Sequence, residues 1–186
     1  MSDLPVELHD YITGSSLALS ASPVGVEDHP LRAVSDGFCH LTGFGRDKVI
    51  GRNCRFLQGG KREQEGLGKL RAFLASKGRG MCRVNLVNFR ADGTPFINML
   101  TLTRICDHDG KDCFLFGSQF DIGRAEVDEA EEFDGQFRDV AERVKKRLDP
   151  HKLSMVGSVS ALANAASAIA EAKMLVSQLE GADRLY

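Results

Sequence analysis

A chain of 186 residues with 24 Lys and Arg against 26 Asp and Glu, a formal charge of -2, has no cationic excess with which to seek nucleic acid or an anionic membrane. No apolar run is long enough to span a bilayer, and Met1-Ser2-Asp3-Leu4-Pro5 lacks the basic-then-apolar pattern of a secretory signal. Five cysteines, odd in number and scattered at 39, 54, 82, 106 and 113 with no Cys-x-x-Cys, argue against a disulfide framework and for a reduced, cytoplasmic setting.

Leu4, Leu8, Tyr11 and Ile12 recur at helical spacing and predict a short amphipathic helix ending near Gly14. Residues 17–20 and 31–34 read as short strands, separated by the turn chemistry of Ser22-Pro23-Val24-Gly25 and Asp28-His29-Pro30. Ser35 is a good N-cap for a helix through Phe38 and Leu41 to Gly43, and a helical turn over 46–50 follows. Residues 61–77 form a polar helix with Leu67, Leu70, Phe73 and Leu74 on one face, broken at Gly78. The period then changes. Residues 81–89, 96–105 and 113–121 are strands joined by turns at Ala91-Asp92-Gly93-Thr94-Pro95 and Asp107-His108-Asp109-Gly110, an antiparallel meander. Short strands and small helices ahead of a meander make the fold class α+β. Residues 125–148 are highly charged with one apolar stripe: Val127, Ala130, Phe133, Phe137, Val140, Val144 and Leu148. Asp149-Pro150 reads as the N-cap and first position of an Ala-rich helix over 151–179, with Leu153, Val156, Val159, Leu162, Ala166, Ile169, Val176 and Leu179 as its apolar positions.

The densest polar stretch is Gly51-Arg52-Asn53-Cys54-Arg55-Phe56-Leu57-Gln58-Gly59. Phe56 and Leu57 can enter a core. Asn53, Arg55 and Gln58 are left to face something polar and anionic, since a guanidinium forms paired hydrogen bonds to phosphate. Cys54 lies between two arginines, where an electropositive turn would favour thiol chemistry; by itself, a free cysteine on a helix is usually buried and inert. The stretch resembles the cysteine-bearing motif of light–oxygen–voltage (LOV) domains, the flavin-binding photoreceptor branch of the PAS superfamily. It meets every specified position of the pattern Gly-x-Asn-Cys-Arg-Phe-Leu-Gln.

The resemblance covers residues 16–121 or so and carries further residues with it. Lys69-Leu70-Arg71 stands where the family has a second arginine for the phosphate of flavin mononucleotide (FMN). Asn88-Phe89-Arg90-Ala91-Asp92-Gly93-Thr94-Pro95-Phe96-Ile97-Asn98 resembles the family's hairpin, whose two asparagines hydrogen-bond the flavin's pyrimidine edge. That role carries over to Asn88 and Asn98, although asparagines at strand ends also satisfy turns. Phe116-Gly117-Ser118-Gln119 resembles more loosely the segment whose glutamine faces flavin N5, which would be Gln119. Leu100 and Leu102 would line the ring, while Asn53, Arg55, Gln58 and Arg71 would hold the ribityl chain and phosphate. The chain departs from the family at Ala21-Ser22-Pro23, where Thr-Asp-Pro is usual, and at Asp28-His29-Pro30, where Asp-Asn-Pro is usual. His29 is assigned no contact; close to the flavin, it would titrate near neutral pH and alter the dark return.

The resemblance implies a PAS/LOV core over 16–122, an N-terminal helical cap over 1–15 and a C-terminal two-helix extension over 123–186. It implies FMN as cofactor and a blue-light photoreceptor in which Cys54 forms a reversible photoadduct. Gln119 would relay the change to the extension, altering self-association or the binding of a downstream partner. A sensor rather than an enzyme is expected: no Gly-x-x-x-x-Gly-Lys-Ser/Thr or Gly-x-Gly-x-x-Gly occurs, and the region after Asp121 is short for a catalytic effector. A flavin-based redox or oxygen sensor and a cofactor-free PAS interaction module keep the same fold; reversible bleaching by blue light supports neither. The stripe over 127–148, with the small-residue face at Leu162, Ala166 and Ile169, needs a partner. A two-fold homodimer through the helices is expected, against the alternative that both fold back on their own sheet. Cys106, Asp107, His108 and Cys113 fit no zinc spacing, and the turn at 107–112 lacks the Glu and flanking helices of a calcium loop.

Overall fold

The three hairpin-linked strands are part of a larger antiparallel sheet. The computed structural model describes residues 4–61, 63–76, 80–156 and 165–182. Strands β1 (Ala18–Pro23), β2 (Ala33–Val34), β3 (Met81–Phe89), β4 (Pro95–Asp107) and β5 (Asp112–Asp121) lie in the order β2-β1-β5-β4-β3. β1 sits beside β5, with Ala18 opposite Gln119 and Pro23 opposite Phe114. The expected short strands are therefore present with shifted bounds.

Helices α1 (Val6–Thr13), α2 (Asp36–Thr42), α3 (Arg46–Val49) and α4 (Glu65–Ala75) fill the spaces between strands. Ser35 caps α2 and does more: its Oγ accepts from Phe38 N at 2.9 Å and Leu19 N at 2.8 Å, and donates to Leu17 O at 2.6 Å. The helix start is thus tied to β1. α4 begins later than its apolar spacing implies. Gly59 and Gly60 both take positive φ, and Gln64 commits its amide to the backbone of Val87, accepting from the N–H at 2.6 Å and donating to the carbonyl at 3.1 Å. One side chain there stands in for a neighbouring strand at the β3 edge. The expected end of α4 at Lys77 and Gly78 lies outside the described residues.

Strand alternation sorts the two faces. Ile97, Met99, Ile105, Phe114 and Phe116 enter a core shared with α1 and with α5 (Val127–Leu148). Leu86, Leu100, Leu102 and Leu115 face the other way, toward α4 and the 3-10 turn Cys54–Gln58. The apolar stripe of α5 is not free. Ala130, Phe133, Phe137, Val144 and Leu148 are buried on the sheet, and the Phe133 and Phe120 rings stack with centroids 4.4 Å apart. The stripe is covered within the chain by the residues of β4 and β5 on which it packs, so its apolar spacing is not by itself a reason for a second subunit. Within the same interface Asp134, 2% exposed, accepts from Arg83 Nη2 at 2.8 Å, and Arg83 Nε donates to Thr101 Oγ1 at 2.9 Å.

The helix expected from residue 151 does not start there. Asp149 is the C-cap of α5, Asp149–His151 is a single 3-10 turn, and Lys152 takes a left-handed φ of 55°. Leu153–Val156 is then a strand, β6, paired antiparallel with the Arg104 to Asp107 end of β4. Proline removes a helical donor at this point. β4 also outruns β3, whose pairing stops at Thr103, and β6 satisfies the backbone groups left beyond it. The last helix, α6 (Ala165–Ala182), buries Ile169 and Ala172 in the α5 core. Val159 and Leu162, and the side chain of Ala166, lie outside the described residues. Among the described residues no helix is long and apolar enough to cross a membrane.

Candidate functional site

The polar stretch closes on itself through its flanks. Asn53 caps the 3-10 turn, its Oδ1 accepting from Arg55 N at 2.9 Å, and its Nδ2 donates to the carbonyl of Asp28. Gly59 ends the turn at φ 54°, where an added Cβ would fall 2.4 Å from the Phe89 ring, so both conformation and space require glycine. Phe56 packs edge-on to Phe44 with centroids 5.0 Å apart, and Leu57 is buried beside Phe38 and Val49.

This anchoring sets Cys54 and Gln58 on the wall of a cavity between the turn, α4 and the inner face of the sheet. Asn53, Arg55, Asn88, Asn98, Leu100, Leu102 and Gln119 line the same cavity. Arg71 does not. It is exposed on α4, and Leu70 and Leu74 supply that wall. Residues four apart share a helix face, and the next residue along points elsewhere. The lining also includes residues that the sequence did not single out for it: Ser20 and Ser22 on β1, Leu31, Leu86, Leu115 and His29. Leu86 with Asn88, and Leu115 with Gln119, keep the two-residue strand period, a signal legible in the sequence. The serines are brought in by the pairing of β1 with β5, a contact of long sequence separation. His29 takes φ 44°, and its Nδ1 donates to Pro23 O at 3.2 Å.

The polar groups are half-satisfied. Asn98 Nδ2 donates to Asn88 Oδ1 at 2.9 Å, and Asn88 Nδ2 donates to Val87 O at 2.9 Å. Asn98 Oδ1 is buried with no partner. Gln119 Nε2 donates to Ser20 Oγ at 3.0 Å, and Gln119 Oε1 is likewise buried without a partner. An unsatisfied buried acceptor is costly, so each of these oxygens calls for a donor. The open Asn98 Oδ1, an acceptor, fits the N–H that a flavin displays between the carbonyl oxygens of its pyrimidine edge. Gly117 makes the room, since a Cβ there would lie 2.7 Å from Ser20 Oγ and 3.1 Å from Gln119 Nε2.

Cys54 departs from expectation in its electrostatics. It is half-buried by surface area, yet the surrounding protein desolvates it and pushes the thiol up to about 12. The neighbouring arginines are turned elsewhere. Arg52 lies 4.5 Å over the Phe56 ring and donates to Lys48 O at 3.2 Å, while Arg55 pairs with the Asp28 carboxylate. The resting side chain is a neutral thiol. At the distal turn, Asp107 Oδ1 accepts from Asp109 N at 3.1 Å and Lys111 N at 2.9 Å, and Cys106 is buried. Among the described residues no three His, Cys, Asp or Glu come together in a metal-binding group.

Residues 23–124 match a family model described as PAS domain. The blue-light-activated histidine kinase 2 of Erythrobacter litoralis is 36% identical over 132 residues, covering 70% of this chain and 38% of that protein. The solved LOV domain from an Erythrobacter litoralis blue-light activated histidine kinase is 33% identical, with a TM-score of 0.53 over 58% of this chain and 97% of the solved one. The solved Rhodobacter sphaeroides LOV protein is 24% identical with a TM-score of 0.69 over 94% of each chain, a likeness of fold. This chain spans between 10% and 38% of the length of the first curated relatives it matches.

Proposed function

This chain belongs to the PAS domain family and to its light–oxygen–voltage branch, and from that premise we propose that it is a blue-light photoreceptor that binds FMN. The observation that carries the reading is one cavity in which Cys54 stands with the open amide ends of Asn98 and Gln119. In this reading Asn88 and Asn98 hold the pyrimidine edge, Leu100 and Leu102 line the ring, and Asn53, Arg55 and Gln58 face the ribityl chain and phosphate. Arg71, behind the wall made by Leu70 and Leu74, is given no contact.

When bound, the flavin supplies absorption of blue light and a ring carbon that opens to attack by a thiol. Cys54 keeps its proton in the dark, because burial holds the thiol far above neutral pH. With the flavin bound, Cys54 would be the residue whose Sγ and proton the illuminated ring takes up together, the proton on a ring nitrogen, and gives back together in the dark. Gln119 would answer by rotating its amide, from Nε2 toward the cavity in the dark to the arrangement with Nε2 on Ser20 Oγ and Oε1 toward the cavity when lit. Asp121, two residues on, binds Arg90 Nη2 at 2.6 Å and Gly123 N at 3.2 Å, and α5 follows. A hydrogen-bond exchange worth about 1 kcal/mol shifts the docking of α5 about fivefold. Loosened helices uncover Phe114 and Phe116, a face suited to a second copy of the chain or to a downstream partner. The chain thus works as a sensor, and its output is association.

An absorption spectrum before and after blue light tests the reading. A flavin band that bleaches and recovers in the dark is expected. Cys54→Ala is expected to keep the band and lose the reversible bleaching. A colourless chain purified with flavin supplied, or a cycle that persists in Cys54→Ala, overturns it.

A further inference from the structure

The mouth of the cavity holds an ion pair that a phosphorylated ligand has to contend with. Arg55 is the one Lys or Arg lining the cavity among the described residues, and its guanidinium already pairs with the Asp28 carboxylate. Both side chains are about half-exposed, at 60% and 48%. Asp28 takes a left-handed φ of 66°, Asn53 Nδ2 donates to its carbonyl, and its carboxylate pairs with Arg55. The other arginine of the motif, Arg52, is stacked on Phe56 and donates to Lys48 O.

We infer that Asp28 sets how strongly this cavity distinguishes a phosphorylated flavin from an unphosphorylated one, by competing with the ligand phosphate for Arg55. The inference rests on the flavin reading and deepens it. A phosphomonoester carries nearly two negative charges at neutral pH. It meets a neutral Asp28–Arg55 pair rather than a free cation, and it gains Arg55 only by displacing a carboxylate that stays nearby and repels it. A neutral ribityl hydroxyl suffers neither penalty. The pair is a surface one, so the bias it imposes is modest, about two- to fivefold in relative affinity.

The backbone makes the test clean. Asn tolerates the left-handed region about as well as Asp does, so Asp28→Asn keeps the turn and the carbonyl bound by Asn53 while removing the charge. The apo chain, Asp28→Asn and Arg55→Gln are each titrated with FMN and with riboflavin, followed by quenching of flavin fluorescence, and the ratio of the two affinities is read. Asp28→Asn is expected to raise the preference for FMN about two- to fivefold, with riboflavin affinity unchanged. The gain is expected to shrink at about 0.5 M salt, where exposed charges are screened. Arg55→Gln is expected to bring the ratio close to one. If both flavins bind and Asp28→Asn leaves the ratio unchanged or lowers it, the inference falls alone. If neither flavin binds the wild-type chain, the flavin reading falls and takes the inference with it.

Discussion

A thiol pushed up to about 12 reacts slowly with electrophiles in the dark, which is what a light-gated nucleophile requires. Cys54 in the apo chain is expected to alkylate with iodoacetamide at pH 8 far more slowly than a free thiol, as peptide mass mapping would read; labelling at the free-thiol rate would contradict the assignment. The linkage has a sign. The ordinary value is 9.0, so folded and unfolded chains are both protonated at Cys54 below it, and between 9 and about 12 only the unfolded chain ionises. Stability from this site is complete below pH 9 and lost on the way to 12. The urea midpoint of the wild type should therefore fall more steeply over that window than the midpoint of Cys54→Ala. Gly117 carries a second expectation. Gly117→Ala places a methyl 2.7 Å from Ser20 Oγ and 3.1 Å from Gln119 Nε2, so the Gln119 amide loses room to rotate. Flavin bleaching is expected to survive while the light-induced change in α5 hydrogen exchange shrinks; an unchanged α5 response would place the relay elsewhere. At this scale the sequence was highly informative, because the pattern around Cys54 and the paired Asn88 and Asn98 are local. Arg71 lies outside the cavity lining, and burial rather than the flanking arginines governs the Cys54 thiol, since neither a helix face nor the direction of an arginine is written in neighbouring letters.

Among the elements, α5 depends on one buried ion pair more than on its exposed charges. Asp134 is 2% exposed and Arg83 16% exposed, and removing one partner of such a pair leaves a buried charge uncompensated. Asp134→Ala is expected to cost about 3 kcal/mol by urea denaturation. Replacing the two together, Arg83→Met with Asp134→Leu, should recover most of that. A loss below about 0.5 kcal/mol for the single change would mean that the pair behaves as a solvated one. The stripe of α5 and the hairpins were legible from periodicity, but β6 was not. Leu153, Met155 and Val156 suit a helix or a strand equally well over so short a stretch. What decides is the length of β4 past the end of its pairing with β3, a non-local fact, together with the left-handed Lys152 that turns the chain back toward it.

In the whole molecule, the extension after β5 serves as the cover of the sheet's apolar face. α5 and α6 bury Ile97, Met99, Ile105, Phe114 and Phe116, and Arg147 of α5 lies 4.1 Å over the Tyr11 ring of α1, closing the layer from the other side. Each such side chain is worth about 1.5–3 kcal/mol when buried, so the uncovered face would not stay alone in water. This changes what self-association means here. Unpartnered helices would drive a permanent dimer; under the proposed function, helices that cover a sheet would instead make association conditional on their release. Chains lacking residues 125–186 are therefore expected to associate or lose solubility in the dark, as light-scattering mass would show. The full chain is expected to change its mass or hydrodynamic radius only when lit, and Gln119→Leu, which has no amide to rotate, should lose most of that change while still bleaching. A truncated chain that remains a soluble monomer would show that the face needs no cover. A lit Gln119→Leu chain that responds like the wild type would show that the helices are released by some route other than β5.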